Sequence, residues 1–175
     1  MLSQASAATR TYTVSDDING PYRAAAVYTN TGRAAGIWSF VNSARGSLTV
    51  TVLQSSTHST YRVTVIEIGP STLDVTSSSV DATNVTTHHC AASGAIDTAV
   101  NVLVVGIGQL NASGSTLTKG GSYTLINSST THLTHYLTSA SALTDERGSF
   151  TSSTARGDEC AIASFKTSAS GTNRR

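Results

Sequence analysis

Apolar residues in this chain alternate with serine and threonine, and that two-residue period decides what it can fold into. In the run from Ser47 to Leu53, Leu48, Val50 and Val52 share one face while Ser47, Thr49 and Thr51 share the other. This is the pattern of a half-buried antiparallel strand. From Tyr61 to Ile68, Tyr61, Val63 and Val65 fall together, and Ile66 and Ile68 then appear on the second face. That strand is expected to end buried on both sides or to bulge, and to form a hairpin with the preceding run. The run from Val100 to Ile107 is apolar on both faces and suits a central core strand. Shorter runs occupy 10–14, 22–28, 35–41, 122–126, 131–137, 148–153 and 159–166. Turn signals such as Asp17-Ile-Asn-Gly-Pro21, Gly69-Pro70, Gly120-Gly121 and Arg156-Gly-Asp158 separate them. The expectation is an all-β protein: a single antiparallel β-sandwich, jelly-roll-like, of nine or ten strands. Arg23–Ala26 is too short and too closely followed by β-formers to be a helix.

Composition narrows the class. Serine and threonine make up 55 of the 175 residues, and only 12% are charged, with a net charge of +1. A helical bundle would need far more Glu, Lys, Leu and Ala. So small a net charge provides no general attraction to nucleic acid or to an anionic membrane. A nucleic-acid-packaging capsid protein would want a basic arm, and residues 1–20 hold one arginine, Arg10. The expected division is a flexible segment over 1–9, a sandwich domain over 10–166 and a flexible tail over 167–175, with 76–93 as a long loop. No secretory leader is legible at the N-terminus. The lysine-poor, Ser/Thr-rich surface nonetheless points outside the cell, to an extracellular or virion location.

Several residues invite chemistry. In the run from Ile37 to Val41, Ile37, Ser39 and Val41 oppose Trp38 and Phe40. Trp38 filling the core is the favoured arrangement. In the other, Trp38 and Phe40, with Tyr28, form an exposed ligand-binding platform suited to sugars. Asp16, Asp17 and Asn19 cluster oxygens in a turn, as a partial calcium site would, against ordinary turn chemistry. Cys90 and Cys160 are the only cysteines, so one disulfide is the single intramolecular option, and two separate buried thiols are favoured over it. His88, His89, His132 and His135 lack the spacing of a zinc site on strands and are expected in loops. Gly106-Ile-Gly108 lacks the third glycine of a dinucleotide fingerprint and is expected to permit close packing. With 27 serines, serine–histidine–aspartate combinations arise by chance, and no catalytic residue is assigned. The three sequons at Asn84, Asn111 and Asn127 are likewise expected by chance, and Glu67 is expected to emerge at a sheet edge.

Five stretches also carry a resemblance: Val14–Gly20, Gly46–Val52, Tyr61–Gly69, Val102–Gly106 and Cys160–Lys166. In texture they resemble the jelly-roll or immunoglobulin-like β-sandwich modules of phage virion proteins and bacterial secreted surface proteins. The resemblance implies a non-enzymatic structural or binding role, with no cofactor beyond calcium. It implies protein partners, either further copies of the chain or virion proteins, in a head decoration or fibre component. The alternative is a carbohydrate-binding module of a secreted or cell-surface protein, with glycans as ligands. Neither version involves nucleic acid or a membrane.

Overall fold

Alternation over five to nine residues gives strands, and strands need partners. The computed structural model describes residues 2–5, 11–30, 33–41, 44, 46–55, 61–91 and 96–167. In them lie β1 (Leu2–Ala5), β2 (Tyr12–Asp16), β3 (Gly20–Pro21), β4 (Arg23–Asn30), β5 (Arg33–Ser39), β6 (Val50–Gln54) and β7 (Tyr61–Val63). There follow β8 (Ser71–His88), β9 (Val102–Leu110), β10 (Leu117–Lys119), β11 (Thr124–Ser128), β12 (His132–Ser139) and β13 (Phe150–Thr167). The described residues contain no helix.

Antiparallel pairing builds three sheets. The central sheet runs β10-β13-β9-β12-β11, with β8 also paired to β13. A four-stranded sheet, β4-β5-β1-β7, stacks on one of its faces, and β3-β2-β6 forms a small third sheet. The expected all-β sandwich is therefore the fold, with thirteen strands rather than nine or ten.

β9 is buried along its whole length, as its two-sided apolar sequence requires. Val102, Val104 and Leu110 point to one core with Leu133, Phe150 and Ile162. Leu103, Val105 and Ile107 point to the other, with Ile37, Ala161 and Phe165 beneath the four-stranded sheet. The glycines of β9 make room for what covers it. A Cβ on Gly106 would lie 2.4 Å from the His135 ring, and one on Gly108 would lie 2.4 Å from the Phe150 ring.

Four expectations are corrected. Residues 71–88 form β8 rather than a loop over 76–93, because the central sheet offers β13 as a partner along most of that length. The segment 1–9 is not wholly a flexible lead, since Leu2–Ala5 pairs with β5 on one side and β7 on the other. The runs 47–53 and 61–68 do not form a hairpin: β6 pairs with β2, and β7 with β1. The second of them is a strand only as far as Val63. Finally, the runs 148–153 and 159–166 belong to one strand, β13, interrupted by register shifts between Thr151 and Asp158. The expected tail past Thr167 lies outside the described residues.

That interruption is a sharp bend. Ser152 and Asp158 lie six positions apart on β13, about 20 Å if extended, yet both touch His88. Ser79 Oγ also reaches the carbonyl of His89, ten positions along its own chain. The β8–β13 ribbon thus folds back over the central sheet and covers the first core with its own end. Arg156-Gly157-Asp158 lies in this bend and not on an exposed turn, and Asp158 is wholly buried.

Candidate functional site

The cysteines meet at the folded ribbon. Cys90 follows β8 and Cys160 lies on β13, with Cα atoms 4.6 Å apart and the sulfurs bonded. The expectation of two separate thiols is corrected: the fold-back brings the end of β8 over the middle of β13.

Beside the disulfide is a polar cluster that sequence reasoning missed. His88 Nδ1 lies 3.0 Å from Asp158 Oδ2. His88 Nε2 lies 2.8 Å from Ser152 Oγ, which donates to the Thr154 carbonyl at 2.8 Å. The order carboxylate–imidazole–hydroxyl is that of a nucleophilic triad. Its setting differs: His88 and Asp158 are 0% exposed, Ser152 is 6% exposed, and Phe150 stacks on the imidazole at 4.7 Å. The cluster clamps the bend, joining residues on both sides of it. Among 27 serines, no local signal marked Ser152 as the partner.

His132 and His135 are also in the core rather than in loops, while His89, just past β8, is half-buried in a loop as expected, its Nδ1 2.7 Å from Ser149 Oγ. His132 and His135 lie on β12, on opposite faces, and both are buried. Burial, helped by the Arg62 charge, lowers the His132 pKa to about 4. Burial also lowers the His135 pKa to about 4. Tyr123 stacks on His135 at 4.1 Å and donates to Glu146 Oε1 at 2.8 Å. Burial and that carboxylate raise the tyrosine pKa. No group of three or more His, Cys, Asp and Glu side chains suited to a metal occurs among the described residues.

On the opposite face, Arg33 of β5 reaches down to Glu159 of β13, with Nη1 3.0 Å from Oε1. Burial raises the Glu159 pKa to about 7 despite the arginine, with the Asp158 charge adding to the rise. This pair ties the four-stranded sheet to the central one.

The three turn residues Asp16, Asp17 and Asn19 are drawn into separate hydrogen bonds. Asp16 Oδ1 accepts from Ile18 N at 2.8 Å and from Asn19 N, and its Oδ2 accepts from Asn19 Nδ2 and Tyr22 Oη, each at 2.8 Å. Burial pushes this carboxyl up, but the four donors outweigh it and hold the pKa well below the usual range. Asp17 Oδ1 reaches Thr49 N and Asn19 Oδ1 reaches Ala44 N, both at 2.8 Å. Gly20, at φ +85°, completes the turn in a conformation glycine adopts freely.

The aromatic residues are split between two faces. Ile37 is 3% exposed and faces the core, so Trp38 lies on the other side of β5, half-buried, lying across Gly36 and edge-on to Tyr12. The favoured placement of Trp38 in the core is thereby corrected. Phe40, past the end of the strand, is exposed and packs on Tyr22 at 5.7 Å. Tyr28 is registered opposite Ala35 and therefore shares the Ile37 side. It does not join Trp38.

β11 pairs with β12 alone, and all five of its residues are exposed. Leu125 is 44% and Ile126 36% exposed, and the strand Thr-Leu-Ile-Asn-Ser has neither charge nor proline.

Comparison with family models, curated proteins and solved structures finds no match for this chain.

Proposed function

We propose that the protein is a non-enzymatic β-sandwich subunit that assembles with copies of itself, in a virion-associated decoration or fibre. The supporting observation is β11. Sheet edges in proteins that stay apart are usually blunted by lysine, proline or cover. β11 has neither residue; its pairing with β12 skips Ile126, a shift confined to that one position, and its middle is apolar and exposed. Antiparallel pairing of two copies about a twofold axis at Ile126 sets Thr124 against Ser128 and Leu125 against Asn127, with no like charges opposed. The uncharged Ser/Thr surface around it suits close packing against another neutral surface.

Light-scattering mass measurement during gel filtration tests this. The wild type is expected to run as a dimer or larger assembly at micromolar concentration, and Ile126→Lys as a monomer. A wild type that is strictly monomeric at every concentration would overturn the proposal. The carbohydrate-binding alternative draws on Trp38 and the turn carboxylates; Trp38 packs across Gly36 and edge-on to Tyr12, Asp16 and Asp17 accept hydrogen bonds within the protein, and no specific observation favours this reading over assembly.

A further inference from the structure

A second surface stands apart from the assembly edge. At one end of the sandwich the central sheet and its neighbours do not close on each other, and a cavity of about 810 Å³ opens there. Small-molecule sites span about 300–1,000 Å³. The floor is core: Ile37, Leu103, Val105 and Phe165, each at most 7% exposed. Val14, Val50 and Val52 of the small sheet also line it, and Trp38 borders it. Around the mouth, Phe40, Val41, Val63 and Val65 are 37–61% exposed, an apolar rim on an otherwise Ser/Thr-rich surface.

Charge separates one class of occupant from another. No lysine, arginine or histidine occurs among the described residues lining the cavity, and Glu67 is the one carboxylate. Glu67 is exposed, as expected from the sequence, at the same mouth. An acidic head group at Glu67 would meet a like charge and find no cation among the described lining residues, whereas a cationic head would meet its opposite. We propose that this cleft binds a single-chain cationic amphiphile, its alkyl tail on the Leu103–Phe165 floor and its ammonium head at Glu67.

The test uses two probes with equal ten-carbon tails, decyltrimethylammonium and undecanoate, both kept below micelle formation. Trp38, the one tryptophan of the chain, borders the cleft, so its emission reports occupancy at the rim, and calorimetry reads binding over the whole cleft. Decyltrimethylammonium is expected to bind saturably, one per chain, and to shift that emission to the blue. Undecanoate is expected to bind about fivefold more weakly, the scale of an exposed ion pair. Glu67→Lys, at an exposed position that the fold does not need, should reverse the order. Equal binding of both probes, unmoved by Glu67→Lys, would overturn the head-group assignment. No saturable binding of either probe, by calorimetry and by Trp38 emission alike, would overturn the cleft as a binding site.

Discussion

The two faces of the central sheet are built from the same strands and end differently. On one, the chain covers its own sheet: the β8–β13 ribbon folds back, and a disulfide and the His88–Asp158–Ser152 cluster fix it there. On the other, a separate sheet lies over the core, joined to it by the Arg33–Glu159 pair, and an apolar cleft enters at one end. Cross-links are concentrated where the chain bends. The face with fewer of them keeps exposed apolar surface and room. Stability rests on the sealed face, and the binding proposed above on the open one.

The largest way to break it is to unpin the sealed face. Replacing Cys90 and Cys160 with alanine removes a bridge across 70 positions. The expected loss of unfolding free energy is about 4 kcal/mol, read as a fall in the urea midpoint. A loss near zero would mean that the polar clamp and packing hold the bend alone.

A smaller effect sharpens the open side. Buried Glu159 holds its proton up to about 7, against 4.5 for the ordinary group. Between those values the native state binds the additional proton, so this group adds stability as pH falls from 7 towards 4.5, and that contribution is lost as pH rises through 7. His132 and His135 act in the opposite sense. Their pKa values of about 4, against 6.5, mean that the unfolded chain is protonated first, and stability is lost as pH falls from 6.5 to 4. Glu159→Gln removes only the first contribution. Its stability is expected to fall more steeply than that of the wild type between pH 7 and 4.5. Parallel profiles in thermal melts would show that Glu159 titrates normally and that the junction between the sheets is wet.

The sealed face was the less legible of the two. β9 could be recognised because valine, leucine and isoleucine stand at both parities, and the turn at Asp16–Gly20 because its residues are turn formers. β8 could not, since Ser77, Ser78 and Ser79 put the same side chain on both faces and erase the period. Leu2–Ala5 hid in the same way among small and polar residues. The bend at Arg156–Asp158 did give a turn signal, but a signal of that kind does not say that a paired ribbon turns with it. Ser152 was one hydroxyl among many, and only the fold-back gives it a histidine. Trp38 was misplaced because alternation shows two faces without saying which is inside. Gly36 decides it, leaving space on the outer side for the indole to lie across the strand.

Two leucines on one strand test the comparison most directly. Leu110 points into the sealed core and Leu103 onto the floor of the cleft, and they are 0% and 7% exposed. Leucine-to-alanine losses in cores run from about 2.7 to 5 kcal/mol, growing with the void left behind. Leu103 borders empty space already, so its methyl groups have fewer partners to lose. Equilibrium urea unfolding of the two variants is expected to show a loss of about 4 kcal/mol for Leu110→Ala and about 2 kcal/mol for Leu103→Ala. Equal losses, or a larger loss at Leu103, would mean that the second face is packed as tightly as the first and that no cleft opens there.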